Sequence, residues 1–175
     1  MKFIGYICFF IVLMWAASSL LGKDKSQTVN EKLITQFEKR DVVKRHEWNK
    51  GKVIDGVQVY TARKDYVILQ SIWGLGVKEA SVIILTTGKT PQVEIPVVLG
   101  QCVQLAKVVM DSDAESITDA VSTIFTAAIQ TYKKEGKKVE ASGDIGSTPF
   151  SVTVQDISSV LTYGCGVDRS EERRV

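Results

Sequence analysis

The sequence predicts an α+β fold, in which an antiparallel sheet carries a central pair of helices on one face. Segments whose apolar residues alternate with polar ones, typical of half-buried strands, occur within 51–100 and again from Phe150 onward. Between them, apolar and polar residues recur every three or four positions, which indicates helices. Strands grouped on both sides of a helical block are typical of α+β domains.

The first 22 residues predict a membrane-targeting helix that precedes this domain. Residues 3–21 carry no charged side chain, and a helix of that length spans roughly 28 Å, close to the hydrocarbon thickness of a bilayer. Small residues at 16–19 follow the most apolar part, where a signal peptidase cleaves. Two interpretations stay open: residues 1–22 are a signal peptide that is removed, or a signal anchor that is kept.

Residues 23–50 predict a connector helix. A capping box at Thr28 predicts its first turn, and an apolar stripe through Leu33 and Phe37 predicts that it continues to about Lys44. The stripe is narrow, so it fits either a helix that links membrane and domain or one that packs on the sheet.

Residues 51–167 predict a single α+β domain. Its first strands are expected at 57–61 and 66–73 as a hairpin, then at 80–86 and 92–95. The apolar run 82–85 indicates a strand that is central or covered on both faces.

Two helices and two strands are expected to complete the domain. The first helix follows Pro96, and the second begins at a capping box formed by Ser112 and Glu115 and ends before Gly136. Strands centred on Val152 and Tyr163 follow, joined by a turn at about 155–158. Residues 168–175 are almost all charged, which predicts a solvated tail.

The cysteines predict a disulfide. Removal of the leader would take Cys8 with it and leave Cys102 and Cys165, an even number in an exported chain. The alternative is two separate buried thiols.

Composition and motifs argue against several kinds of chemistry. The 22 basic and 20 acidic residues are nearly balanced, so the sequence gives no basic field for nucleic acid. The one histidine, His46, lies in a charged stretch and is expected to be exposed. No Cys-x-x-Cys or His-x-x-x-His pair is present, so no metal, no cofactor and no catalytic residue is expected.

A phosphate-binding loop and a carboxylate pair also lack support. The segment 86–90 lacks the first glycine of a Walker loop, and its simplest interpretation is a hairpin turn. The carboxylates at 111, 113 and 115 are explained by the start of a helix.

Trp73, Gly74 and Gly76 are a possible partner contact. A large aromatic beside two flexible glycines can form an exposed lip that grips a partner. The alternative is a strand end in which the tryptophan folds onto the core.

These observations predict a non-enzymatic interaction module of the cell envelope, exported to a periplasmic or extracellular space and, where residues 1–22 are kept, anchored to the membrane by them. It would bind a protein partner through a face or an edge of its sheet, because an antiparallel sheet covered on one side leaves these surfaces accessible. An exported inhibitor or immunity-type protein that blocks a toxin or hydrolase is the alternative. A small secreted hydrolase is a third class.

Overall fold

The computed structural model describes the backbone of residues 25–170 and the side chains of residues 30–170. The predicted membrane-targeting helix and the last part of the predicted tail lie outside the described residues. The elements in chain order are α1 (Lys25–Lys39), a 3-10 turn (Arg45–Glu47), β1 (Asn49–Ile54), β2 (Val57–Asp65), β3 (Leu69–Leu75), β4 (Glu79–Thr86), α2 (Pro91–Val109), α3 (Glu115–Glu135), β5 (Val139–Ile145), β6 (Thr148–Ile157) and β7 (Val160–Asp168).

The strands form one antiparallel sheet of seven strands, in the order β1-β2-β3-β4-β7-β6-β5. Strands β1 to β4 and strands β5 to β7 are two meanders, and the pairing of β4 with β7 joins them in the middle of the sheet. The helical pair α2 and α3 connects the two meanders. The α+β fold with an antiparallel sheet is therefore confirmed.

All three helices pack on the same face of the sheet. Trp73 of β3 pairs with Val82 of β4, which pairs with Cys165 of β7, so these residues share one face. From α1, Phe37 contacts Trp73 at a ring-centroid distance of 5.6 Å. From α2, Cys102 lies at bonding distance from Cys165. On the same face Phe125 of α3 stacks on Tyr163 of β7, and burial of such large side chains drives the folding of this layer.

Helix α1 is part of this core. Of the two interpretations of its narrow apolar stripe, the structure therefore supports the one in which the helix packs on the sheet. It ends at Lys39, earlier than the expected end near Lys44, because Asp41 adopts a left-handed backbone conformation (φ 57°) that breaks the helix. It also begins before Thr28, at Lys25. Its apolar side chains are buried under the sheet (Leu33, Ile34 and Phe37).

The strand expected at 92–95 is wrong, because α2 begins at Pro91. Proline suits the first turn of a helix, where its missing N–H has no intrahelical partner, and Pro96 lies one turn further inside the same helix. Among the described helices, α2 alone is long and apolar enough to span a membrane by length and composition, and half of it is buried in the fold. The apolar side chains of α2 thus pack in the core.

The second helix of the pair and the last hairpin agree with the local signals in the sequence. Helix α3 stops at Gly136, which takes the left-handed conformation (φ 61°) of a C-terminal cap. Ser158 and Ser159 both have positive φ and form the two-residue turn between β6 and β7. At the other end of α3 the cap residue is Ala114, and the expected Ser112 instead accepts a hydrogen bond from the Ala114 N–H.

The predicted tail begins too early. Asp168 is the last residue of β7, and Arg169 is buried, with an exposed fraction of 6%. The Arg169 guanidinium donates to Asn30 Oδ1 at 3.0 Å, and the Asn30 amide donates to the Gln58 carbonyl at 2.8 Å. This polar bridge fastens α1 and the end of β7 to β2.

Candidate functional site

The face of the sheet opposite the helices, here called the open face, is covered by no element of residues 25–170. A row of small residues crosses it, one from each of six adjacent strands, and each member is paired in register with the next. Small side chains leave a shallow trough in the sheet. The row consists of Thr61, Gly74, Ser81, Gly166, Ser151 and Ser142.

The centre of the open face is apolar. Ile83 of β4 is 45% exposed, and it pairs with Ile72 of β3 on one side and with Gly164 of β7 on the other. The run 82–85 thus belongs to a central strand, as expected, but only one face of that strand is covered. Because Gly164 has no side chain, the flank of Ile83 stays open to solvent.

One end of the open face carries an acidic depression of about 330 Å³. Glu79 of β4 and Asp168 of β7 are paired in register there. The Glu79 carboxylate lies directly over Gly166, where an added Cβ would collide with it. The other residues of the wall are Lys78, Ser142, Pro149, Phe150 and Ser151.

Within the described part of the chain, the two carboxylates of this depression form no ion pair, although Lys78 belongs to its wall. Partial burial, then the nearby charges of Asp168 and Glu140, raise the pKa of Glu79 above its usual range. A cationic group placed here would therefore be stabilised by charges that now repel one another.

The structure separates the three residues predicted as a partner contact. Trp73 is 1% exposed and packs edge-on against Phe37, so it belongs to the core. Gly74 lies in the row of small residues on the open face, where an added Cβ would stand 3.1 Å from Ser81 Oγ. Gly76 forms the turn before β4, and its N–H donates to the Glu79 carbonyl at 2.8 Å.

Cys102 and Cys165 lie at disulfide-bonding distance, with their Cα atoms 5.7 Å apart. Both residues are buried. The bond would tie α2 to the centre of the sheet from the core side. It therefore fixes the fold beneath the open face and does not present a thiol to solvent.

The loop between β4 and α2 is no hairpin turn, since it leads from a strand straight into a helix, as a phosphate loop does. In this loop the carboxylate of Glu94, which is 2% exposed, occupies the position where a phosphate loop would bind its anion. Its carboxylate accepts hydrogen bonds from the Gly88 N–H at 3.0 Å and from the Thr87 and Thr90 hydroxyls. Burial alone would raise the pKa of Glu94, but the hydrogen bonds from Thr87, Thr90 and Gly88 outweigh it and hold the pKa below its usual range. A buried carboxylate at this helix start repels phosphate.

The remaining candidates give no centre for chemistry. His46 is exposed in the 3-10 turn, as expected. In residues 25–170, no group of three histidine, cysteine or acidic side chains is placed to hold a metal ion. Asp113 forms an ion pair with Arg40 beside the turn between α2 and α3.

The acidic depression escaped sequence reasoning. Glu79 begins one strand and Asp168 ends another, and no local spacing connects them. Only the pairing of β4 with β7 brings them together. A detectable signal was the glycine pair Gly164 and Gly166 in β7, since glycines within a strand often mark places where other groups approach closely.

The chain matches no protein-family model, no curated protein and no solved structure in the comparisons made. The class that the fold itself defines is an α+β domain with one helix-covered and one open sheet face.

Proposed function

We propose that this domain is a non-enzymatic interaction module of the cell envelope, which binds a protein partner through the open face of its sheet. The observation that carries the proposal is the combination of an exposed apolar centre at Ile83 with a depression in which Glu79 and Asp168 form no ion pair with any described residue. The partner expected is a protein segment that places an apolar side chain on the centre and a lysine or arginine in the depression.

Two physical effects would favour this binding, namely the burial of apolar area and the attraction between opposite charges. Ile83 would bury the exposed part of its side chain on binding, and burial of apolar area favours association. A cation in the depression would offset the burial and the nearby negative charges that together raise the pKa of Glu79. Such complementary charges contribute mainly to specificity and to the rate of association.

Export is the second part of the proposal. The apolar segment 3–21 supports it, and so does the buried cysteine pair, since disulfides persist in oxidising compartments. Intact mass of the protein recovered from cells, with N-terminal sequencing, tests whether residues 1–22 are removed.

The binding experiment uses the full-length chain with a photoreactive cross-linker at position 83, applied to membranes and to the exported fraction. Two double variants change the charge equally. Glu79→Lys with Asp168→Lys reverses the charge of the two carboxylates in the depression, whereas Glu115→Lys with Asp119→Lys alters exposed positions near the start of α3. We expect a specific cross-linked protein that the first double variant loses and the second retains.

Equal capture by both variants, or loss of capture by both, would contradict the assignment to the open face. If the cross-linked protein is an enzyme whose activity the domain blocks in a one-to-one complex, the inhibitor alternative is correct. Substrate turnover by the purified chain itself would overturn the non-enzymatic assignment.

A further inference from the structure

A second surface lies at the end of the sheet where three connections meet, and it is independent of the open face. Leu69 of β3 pairs with Thr86 of β4, and Leu85 of β4 pairs with Thr162 of β7. The β2–β3 turn (66–68), the β4–α2 loop (87–90) and the β6–β7 turn (158–159) therefore lie side by side. We call these connections, with the first two turns of α2 and the residues flanking the turns, the loop end.

The loop end exposes an unusual share of apolar side chains. Of nine large apolar residues that are exposed in the described chain, six lie here. The side chain of Val67 is fully exposed, with a relative exposure of 102%, and Tyr66 precedes it at 47%. Single exposed aliphatic residues are ordinary, but a cluster at the tips of neighbouring loops marks an interaction surface. The other four are Val93, Val97, Ile157 and Val160.

Lysines lie at the same end of the sheet as these apolar side chains. The Tyr132 hydroxyl donates to the Asp156 carboxylate, which places the last turn of α3 at this same end of the sheet. Helix α3 and the link to β5 carry exposed lysines there, and Lys89 lies in the β4–α2 loop. Within residues 25–170, four of these lysines take part in no ion pair (Lys89, Lys133, Lys134 and Lys138).

The opposite end of the domain carries charges of both signs. Glu79, Asp168 and Asp144 lie there, and so do Lys78 and Arg169. Asp111 and Asp113 between the helices form ion pairs with Arg40.

We propose that the loop end docks on the surface of an anionic membrane. Exposed aliphatic side chains with lysines at the same end of the sheet fit a bilayer interface, because the aliphatic groups enter the acyl boundary while the lysines stay among anionic headgroups. Val67 lies in a turn and is fully exposed, which suits insertion into a fluid surface better than the binding of a peptide in a groove. Nucleic acid would gain little from valine and isoleucine, since stacking on bases needs flat aromatic side chains.

The loop end and the N-terminal segment contact membranes in different ways. The Asn30 amide donates to the carbonyls of Gln58 and, at 3.4 Å, of Gly76, so α1 enters the fold at the end opposite the loop end. A bilayer that held residues 1–22 would face that opposite end, and the loop end would face away from it. The test must therefore supply a second bilayer.

The full-length chain is first held in phosphatidylcholine nanodiscs, so that lipid already surrounds its apolar N-terminal segment. It is then floated with vesicles of phosphatidylcholine alone or with about one third phosphatidylglycerol. We expect flotation with the anionic vesicles only, and a fall in binding when added salt shortens the screening length. Val67→Asp with Ile157→Asp should lower the apparent affinity at least about tenfold, as should Lys133→Gln with Lys134→Gln.

The matched control is Val53→Asp with Ile54→Asp, which changes two exposed apolar residues of β1 near the opposite end of the domain. It should bind as the unaltered chain does, and near-ultraviolet circular dichroism confirms that all variants are folded. Absence of flotation with anionic vesicles, or equal loss in the control and the loop-end variants, would overturn the proposal. So would a protein partner that only the loop-end variants lose while vesicles stay unbound.

Discussion

Reduction of the bond between Cys102 and Cys165 should remove a large part of the stability of this domain. The two residues are separated by 63 positions in the chain. Closing a loop of that length restricts the unfolded chain by about 4 kcal/mol at 25 °C in the chain-entropy relation. A domain of this size has about 5–15 kcal/mol of total stability, so the reduced protein should be marginal.

Urea unfolding, followed by the fluorescence of the buried Trp48 and Trp73, measures this cost. With a denaturant slope of about 2 kcal/mol per molar, a reductant should lower the midpoint by about 2 M. Cys8 is replaced by serine throughout, to prevent bonds between molecules. The control is the additional double variant Cys102→Ala with Cys165→Ala, whose midpoint should not respond to the reductant.

A midpoint shift below about 0.5 M would refute the reasoning, as would two titratable thiols in the unreduced, denatured protein. The first result would mean that the unfolded chain is restricted by something other than the bond. The second would mean that the cysteines are separate thiols in the protein as it is made.

Three further predictions concern single side chains. Glu94→Gln should lower the free energy of unfolding by about 2 kcal/mol at pH 7, because it weakens a buried network of charge-assisted hydrogen bonds. The folded pKa of Glu94 is lowered, so the stability that its carboxylate contributes is present above the unfolded pKa of about 4.3 and is lost at lower pH. The difference in urea midpoint should therefore shrink towards pH 3, while Glu135→Gln at the surface changes little at any pH. Asn30→Ala should lower the free energy of unfolding by about 2 kcal/mol by calorimetry, since it removes the hydrogen bonds of Asn30 to the Arg169 guanidinium and the Gln58 carbonyl. The exposed Asn49→Ala should be nearly neutral, and equal effects of the two changes would contradict the polar bridge. Glu79→Gln should raise the melting temperature slightly at pH 7 and not at pH 3, because the raised pKa of Glu79 means that its ionisation opposes folding as pH rises; a lower melting temperature at pH 7 would show that the charge is neutralised in the folded protein.

Much of the local structure was predictable from the sequence. The apolar stripe of α3, its two lysines in the last turn and Gly136 after them all describe one helix, and the helix ends at Glu135. The alternation around Val152 and Tyr163 placed β6 and β7. These signals depend on residues a few positions apart, so no knowledge of the tertiary fold is needed to interpret them.

The errors have two physical origins. The segment 92–95 alternates like a strand, but Glu94 binds the loop just before it and a helix starts at Pro91. The other origin is a distant group that decides the local structure. Arg169 looked like part of a solvated tail, but Asn30 at the other end of the chain binds it in the interior. For Trp73 the sequence left an exposed lip and a core position open, and the contact with Phe37 of α1 places it in the core.

The sequence by itself determined the class of fold, the helical pair, the last hairpin and Cys102 and Cys165 as the cysteines of the folded domain, because each depends on composition or on short-range periodicity. The tertiary structure alone decided which carboxylates share the depression, which apolar side chains stay in solvent, and which lysines lie beside those apolar side chains at the loop end. These features depend on strand order and register, which bring together residues such as Glu79 and Asp168 that no short-range pattern in the sequence connects.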